Sequence, residues 1–326
     1  MRNFYLKESD LLERMQVEVM PYLNKARTEG YFEGYDKNKI HYVKYTADNP
    51  VATVVISHGF TESAEKWHEL SFYFLKSGWN VYIIEHRGHG LSHRSSSDFT
   101  LTHIDNFDEY VKDFELFTQM VRKKSEGDIY LFAHSMGGAI GTLFMERHPD
   151  FFKKAVLSSP MIAPSSGNVP VCLARLILRG AVLFGKGEKR AFISSEYKGE
   201  ELFENSEKTS EVRFMEYELL KRADCHLQNY CMTYGWGMNA FKVTGQIFKK
   251  GAPEKIHTSV LIAIAGKDRV VLKKPQLNLA KRLKNCKVHI YEEAKHEIFG
   301  STDEVAFEYF DEVLEFFEKS VDIMDS

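Results

Sequence analysis

Asp128-Ile129-Tyr130-Leu131-Phe132-Ala133-His134-Ser135-Met136-Gly137-Gly138-Ala139 decides how the rest of this chain is read. The stretch begins as an apolar, β-prone run, which predicts a buried strand. It turns at His134-Ser135-Met136 and continues over Gly137–Arg147, which predicts a helix. A serine between a buried strand and a helix sits on a sharp, strained turn. Its hydroxyl stands at the carboxyl edge of the sheet, and the next backbone N–H points where an oxyanion would form. The pattern is small-x-Ser-x-Gly, with Ala133 at the position usually held by glycine. Strand and helix pack closely beside such a turn, and one methyl group is tolerable there.

Strands and helices alternate on both sides of this turn. Ser9–Lys25 predicts one amphipathic helix and Lys39–Thr46 the first strand. Ala52–Ser57 reads as a buried strand that runs into His58-Gly59-Phe60, followed by a helix at about Ser63–Ser77 and a strand at Val81–Glu85. Ile104–Lys124 reads as a helix and Lys153–Ser158 as a strand. After a long gap come the strand Ser259–Ala265, a short helix Pro275–Leu283, the strand Lys287–Tyr291 and the closing helix Val305–Lys319. That rhythm predicts an α/β fold with a mostly parallel sheet and helices on both faces. The gap of about 100 residues after Pro160 exceeds what a crossover needs, so it reads as an insertion over the carboxyl ends of the strands. The expected division is a first core part at 1–160, a cap at 161–257 and a second core part at 258–326.

Composition narrows the function classes. The chain has 326 residues, 44% hydrophobic and 27% charged, and a net charge of −3, so no broad basic field points to nucleic acid. Cys172, Cys225, Cys231 and Cys286 form no C-x-x-C pair and read as reduced thiols in a cytoplasmic protein. Met1–Met20 has no continuous apolar core and no small-residue cleavage site, so no secretory signal is expected there. Val169–Gly185 is the most apolar stretch, but Arg175 and Arg179 interrupt it and it is too short for a membrane span. In the loop that holds His86, His89 and His93 no carboxylate or cysteine completes a ligand set, so no metal is expected. Arg87 is expected to tie that loop to the sheet.

Nucleophilic acyl transfer needs a hydroxyl, a base to take its proton and an acid to orient the base. Ser135, Asp268 and His296 follow one another in that chain order, each at the carboxyl end of a predicted strand. Gly59 lets the backbone bend after a buried strand, so the N–H of Phe60 is expected to join that of Met136 in holding an oxyanion.

Five segments carry a resemblance: His58-Gly59-Phe60, Glu85-His86-Arg87-Gly88-His89-Gly90-Leu91-Ser92, Ala133-His134-Ser135-Met136-Gly137-Gly138, Ala265-Gly266-Lys267-Asp268 and Ala294-Lys295-His296. Over about residues 35–320 the chain resembles α/β-hydrolases of the group that contains monoglyceride lipases and bacterial lysophospholipases. Ala133, the segment Leu143-Phe144-Met145-Glu146-Arg147-His148-Pro149 and Thr233-Tyr234-Gly235-Trp236 are most similar to the lysophospholipases. The resemblance implies an α/β-hydrolase fold with a helical cap and no cofactor. It implies hydrolysis of a carboxylic ester on a single-chain lipid through a Ser-His-Asp triad and an acyl-enzyme. His58, His134, Leu176 and Trp236 are expected to touch the substrate. Leu173, Leu176, Ile177, Ala181 and Phe184 recur near helical spacing and are expected to line or gate an acyl pocket, with Arg175 and Arg179 meeting a phosphate head group or the inner face of a membrane.

Two other readings stay open. A non-lipid carboxylesterase or an aminopeptidase uses the same core, and an aminopeptidase would want an acidic cluster such as Glu200, Glu201 and Glu204 to hold a free amine. A non-catalytic binding protein would typically lose a triad member, and this chain retains all three. The oligomeric state is left open.

Overall fold

Ala52–Ser57 and Asp128–His134 lie side by side at the centre of the sheet, which is where their unbroken apolar runs place them. The computed structural model describes residues 2–319 except 193 and 195. Among the described residues, eight strands form the main sheet: β1 (Arg27–Glu33), β2 (Lys39–Tyr45), β3 (Ala52–Ser57), β4 (Trp79–Ile84), β5 (Asp128–His134), β6 (Lys154–Ser158), β7 (Ser259–Ala265) and β8 (Cys286–Tyr291). Their order across the sheet is β1-β2-β4-β3-β5-β6-β7-β8. β1 and β2 pair antiparallel, as do β2 and β4, and every other pairing is parallel.

The helices are α1 (Leu11–Arg14), α2 (Met20–Ala26), α3 (His68–Lys76), α4 (Asp108–Lys124), α5 (Met136–Arg147), α6 (Val171–Leu183), α7 (Glu211–Ala223), α8 (Tyr234–Ile247), α9 (Lys273–Ala280) and α10 (Asp303–Glu318). A π-helical turn at Met15–Val19 joins α1 to α2, so the predicted single N-terminal helix is interrupted in its middle. α1, α2, α3 and α10 pack on one face of the sheet, and α4, α5 and α9 on the other. α10 buries Phe307, Phe310, Leu314 and Phe317 on one stripe, as its periodicity predicts. The expected α/β architecture therefore holds. β1 is an addition to it: this edge strand continues the N-terminal helix and folds back on β2 through a turn in which the Gly34 N–H donates to the Asn38 carbonyl at 2.8 Å.

The segment between β6 and β7 carries α6, α7 and α8 across the carboxyl ends of the strands. α6 packs on α8 through Ala174, Leu178 and Phe241. The far half of α8 joins the core with Ala240, Val243 and Ile247. α7 starts at Ser210, whose hydroxyl accepts the Arg213 N–H and caps the helix. The buried Arg213 guanidinium then reaches across to the core. It meets Glu69 of α3 at 3.2 Å, Asp303 of α10 at 2.9 Å, and the carbonyls of Leu6 at 2.9 Å and Ser301 at 3.1 Å. No helix among the described residues is long and apolar enough to cross a membrane.

Candidate active site

β5 delivers the chain to Ser135 with φ 51° and ψ −116°, a conformation that costs a non-glycine residue about 1–3 kcal/mol. The surroundings hold it there. The Ser135 N–H donates to the Ser158 carbonyl at 3.0 Å, and the Ser135 carbonyl accepts from Met161 at 2.8 Å and Gly138 at 2.9 Å. A Cβ on Gly137 would stand 2.0 Å from the Ser57 carbonyl oxygen, and one on Gly138 would stand 2.5 Å from the Pro160 side chain. These are the positions where the turn demands glycine. Ala133 fits its place with no exposed surface.

The loops after β5, β7 and β8 bring Ser135, Asp268 and His296 together. His296 Nε2 lies 2.9 Å from Ser135 Oγ, and its Nδ1 lies 2.7 Å from Asp268 Oδ2. The other Asp268 oxygen accepts the N–H groups of Val270 at 2.8 Å and Val271 at 2.9 Å. Burial disfavours a charge on Asp268, but His296 and these two N–H groups outweigh it and hold the carboxyl below its ordinary pKa. An ionised Asp268 accepts the Nδ1–H hydrogen bond, which keeps the proton on Nδ1 and leaves the Nε2 lone pair facing the serine. Burial also works against a charged His296, yet the Asp268 charge and hydrogen bond, aided by Glu297 and Glu207, keep its pKa above the ordinary value. Glu293 pairs with Lys267, and Asp303 with Arg213.

Met136 follows Ser135 directly in the chain, and Phe60 lines the same cavity as Ser135. Met136 opens α5, so its N–H has no acceptor within the helix and carries the positive end of the helix dipole. Phe60 stands in a turn gripped on either side. The Gly59 N–H donates to Glu62 Oε2 at 2.6 Å, and the Thr61 N–H donates to His89 Nε2 at 3.3 Å. The loop of Arg87 and His89 thus supports the Phe60 turn. Arg87 itself binds Asp113 of α4 at 2.7 Å and Asp36 at 3.0 Å, so it ties the loop to α4 and the β1–β2 turn.

A cavity of about 180 Å³ opens over Ser135, His296 and Phe60. Its wall is charged: Glu62, Glu201, Glu207, Glu218 and Glu297 share it with Lys66, Lys208 and Lys221. His134 is in this wall; its ring lies tilted against that of His296 with centroids 4.9 Å apart.

Three expected contacts stand elsewhere. His58 is fully buried, and both ring nitrogens are engaged by backbone, Nε2 accepting the His86 N–H at 2.9 Å and Nδ1 donating to the Gly59 carbonyl at 2.7 Å; it braces the turn and has nothing left for a substrate. Trp236 lies tilted against the Phe60 ring with centroids 4.0 Å apart and donates its indole N–H to the Tyr110 hydroxyl, so it backs the turn. Leu176 is 67% exposed on the outer side of α6 and is not in the cavity wall. The packing face of α6 is Ala174 and Leu178, and a helix that packs on one stripe turns the opposite one outward. That outer side borders an open groove of about 690 Å³ lined by Arg175, Arg179, Val182, Leu183, Met238, Phe241, Lys242 and Gly245. Glu62, Lys66 and Glu297 also stand in the cavity wall; their sequence signals are the i,i+4 spacing of Glu62 and Lys66 just after the Gly59 turn and the position of Glu297 next to His296.

The sequence and the fold have counterparts among known proteins. The sequence pattern of the family described as "Serine aminopeptidase, S33" matches residues 48–303. Lysophospholipase L2 of Escherichia coli (strain K12) is 38% identical over 158 residues, which are 48% of this chain and 46% of that protein, so the chain spans about half the length of this relative. The probable lysophospholipase L2 of Haemophilus influenzae is 26% identical over 294 residues, covering 88% of this chain and 91% of that one. A thermostable carboxyl esterase from Bacillus coagulans superposes with a TM-score of 0.72 at 17% identity, covering 90% of this chain and 98% of that one, which shows a common fold. Since residues 48–303 run from just before β3 to the first residue of α10 and enclose every element that meets at Ser135, the fold is that of the α/β-hydrolases and the chain belongs to the serine aminopeptidase, S33 family of hydrolases.

Proposed function

We propose that the protein is a serine hydrolase that cleaves the carboxylic ester of a single-chain lipid, a lysophospholipid or a monoacylglycerol, with Ser135 as nucleophile, His296 as general base and acid, and Asp268 orienting the histidine. The observation that carries this reading is the unbroken hydrogen-bond chain from Asp268 through His296 to Ser135, on a strained turn at the floor of a cavity. Ser135 Oγ attacks the ester carbon as its proton passes to His296 Nε2. The N–H groups of Phe60 and Met136 stabilise the resulting oxyanion. Collapse breaks the bond to the alcohol oxygen, which leaves with the proton from His296, and the acyl group stays on Ser135. A water then adds to the acyl carbon, gives its proton to His296, and a second collapse frees the fatty acid and restores the serine hydroxyl. The relatives' names support the lipid part of this reading. A panel of lysophospholipids, monoacylglycerols, short p-nitrophenyl esters and aminoacyl amides tests it. The expected result is the highest kcat/KM on a single-chain lipid ester, and turnover of the amides alone would overturn it. An amine-recognising peptidase is the second reading, because the cavity wall holds more carboxylates than ammonium groups. Of the acidic residues named for that role, Glu201 is in the wall, where it pairs with Lys221, while Glu200 pairs with Arg222 at the surface.

The base works only when neutral. Because the pKa of His296 stands above the ordinary histidine value of 6.5, kcat/KM is expected to fall as pH drops through a midpoint above 6.5. A pH–rate profile with an uncharged ester checks this, and a midpoint below 6.5 would contradict it.

The outer face of α6 supports peripheral contact with an anionic lipid surface. Leu176, Leu183 and Phe184 are 67%, 75% and 84% exposed. Between residues 171 and 190 stand Arg175, Arg179, Lys186, Lys189 and Arg190 against one acid, Glu188. Apolar side chains ringed by cations suit insertion at an anionic interface. Replacing Leu176, Leu183 and Phe184 with serine is expected to weaken binding to phosphatidylglycerol vesicles at least tenfold and leave hydrolysis of a soluble short ester unchanged. Undiminished binding would remove α6 from this role.

A further inference from the structure

We propose that Lys66 is a positioning residue that fixes the Phe60 turn against the loop of His296, so that the oxyanion donor and the base keep one relative geometry. The proposal rests on the reading of Ser135 and His296 given above. Lys66 belongs to the 3₁₀ turn Ala64–Trp67, and its side chain is 6% exposed. Its ammonium lies 2.9 Å from Glu62 Oε1 and 2.7 Å from Glu297 Oε1. Each carboxylate is attached to a part of the site. Glu62 turns its other oxygen to the Gly59 N–H at 2.6 Å, one residue before Phe60. Glu297 directly follows His296, and its own N–H is held by the Glu207 carbonyl at 3.0 Å. A continuous path therefore runs from the turn through Glu62, Lys66 and Glu297 to the histidine, joining segments more than 200 residues apart in the chain.

Two alternatives fit the geometry less well. Lys66 is in the cavity wall, but two carboxylates already engage its charge, so it is poorly placed to receive an anionic part of a substrate. A role in stability alone is also a weak account, because burying such charges costs about what their attraction returns. What the arrangement does supply is a fixed distance between two loops, and small misplacement of reacting groups is costly to rate. Lys208 completes the set from the inserted segment, 3.8 Å from the second Glu297 oxygen, so the same bridge also meets the cap.

The test is Lys66→Met and Lys66→Arg, assayed on a short p-nitrophenyl ester, with kcat expressed per active site titrated by a fluorophosphonate. Lys66→Met is expected to lower kcat about 100-fold with KM within about twofold, and Lys66→Arg, which can reach both carboxylates, to recover at least a tenth of the wild-type rate. Lys66→Met strands two buried carboxylates. If it does not fold, the neutral variant Glu62→Gln/Lys66→Met/Glu297→Gln takes its place, with the same expected loss. A per-site kcat within about threefold of wild type in whichever variant folds would overturn the proposal. So would a rise in KM at unchanged kcat, which would make Lys66 a substrate contact, or an arginine variant as slow as the methionine one. Failure of the underlying reading looks different: wild-type protein would neither take up the fluorophosphonate on Ser135 nor hydrolyse the ester.

Discussion

Ser135→Ala is expected to lower kcat for ester hydrolysis about a millionfold, leaving only what the oxyanion donors and substrate binding contribute. The size of the loss follows from the way the three side chains act as one unit. Without Oγ there is no bond to form to the carbonyl carbon, and His296 Nε2 faces a methyl group where it had a proton to accept at 2.9 Å. The residual rate must come from a water molecule placed by the same cavity. Folding should be almost untouched. The backbone at φ 51° is as tolerable for alanine as for serine, and the hydrogen bonds that hold the turn are made by the backbone of Ser135. The measurement is kcat on a lysophospholipid and on a short ester, with fluorophosphonate labelling read by peptide mapping. Undiminished turnover, or labelling of a different serine in the native protein, would end the assignment.

Asp268→Asn is expected to cost about 10⁴ in kcat, and the hydrogen bonds around this residue say why. Oδ1 accepts the N–H groups of Val270 and Val271. An asparagine here must keep its carbonyl oxygen on those two donors, so its NH₂ group turns towards His296 Nδ1. Nδ1 must then accept, and the imidazole carries its proton on Nε2, facing Ser135. A base already protonated on the working nitrogen cannot take the serine proton. The fold should be preserved because both backbone contacts survive. The check is kcat for the variant against wild type at equal active-site concentration. A loss under about tenfold would mean another carboxylate orients His296.

The strands readable from sequence include those buried on both faces, and also β2 and β8, which are partly exposed. β3, β4, β6 and β7 are mostly apolar runs, and two of them lead to residues whose chemistry stands out: His58 directly after β3, and Asp268 three residues past β7. β1 has no apolar alternation to mark it: of Arg27–Glu33 only Tyr31 and Phe32 are large and apolar, they are adjacent in the chain, and only Phe32 packs on the core of this edge strand. Ser135, Asp268 and His296 were legible because chain order and strand ends converge on one edge of the sheet. The contacts assigned to His58, Trp236 and Leu176 were not, because residue type does not tell which way a side chain faces. His58 turned to the backbone, Trp236 to the Phe60 ring, and Leu176 outward. In the Glu62–Lys66–Glu297 bridge the first pair has a local i,i+4 spacing, but Glu297 stands more than 200 residues away, and a pairing over that distance leaves no local pattern.

Arg213 alters what the insertion means for unfolding. By sequence, α7 interrupts the hydrolase core as if it could be lifted out. By its contacts it is a keystone, since one buried guanidinium holds Leu6 of the N-terminal segment, Glu69 of α3 and both Ser301 and Asp303 at the start of α10. Detaching α7 would strand the carboxylates of Glu69 and Asp303 and release the segment that leads into α1. The insertion and the core are therefore expected to unfold in one cooperative transition, and a chain shortened by the segment between β6 and β7 is expected to lose part of the support of the core along with one wall of the cavity.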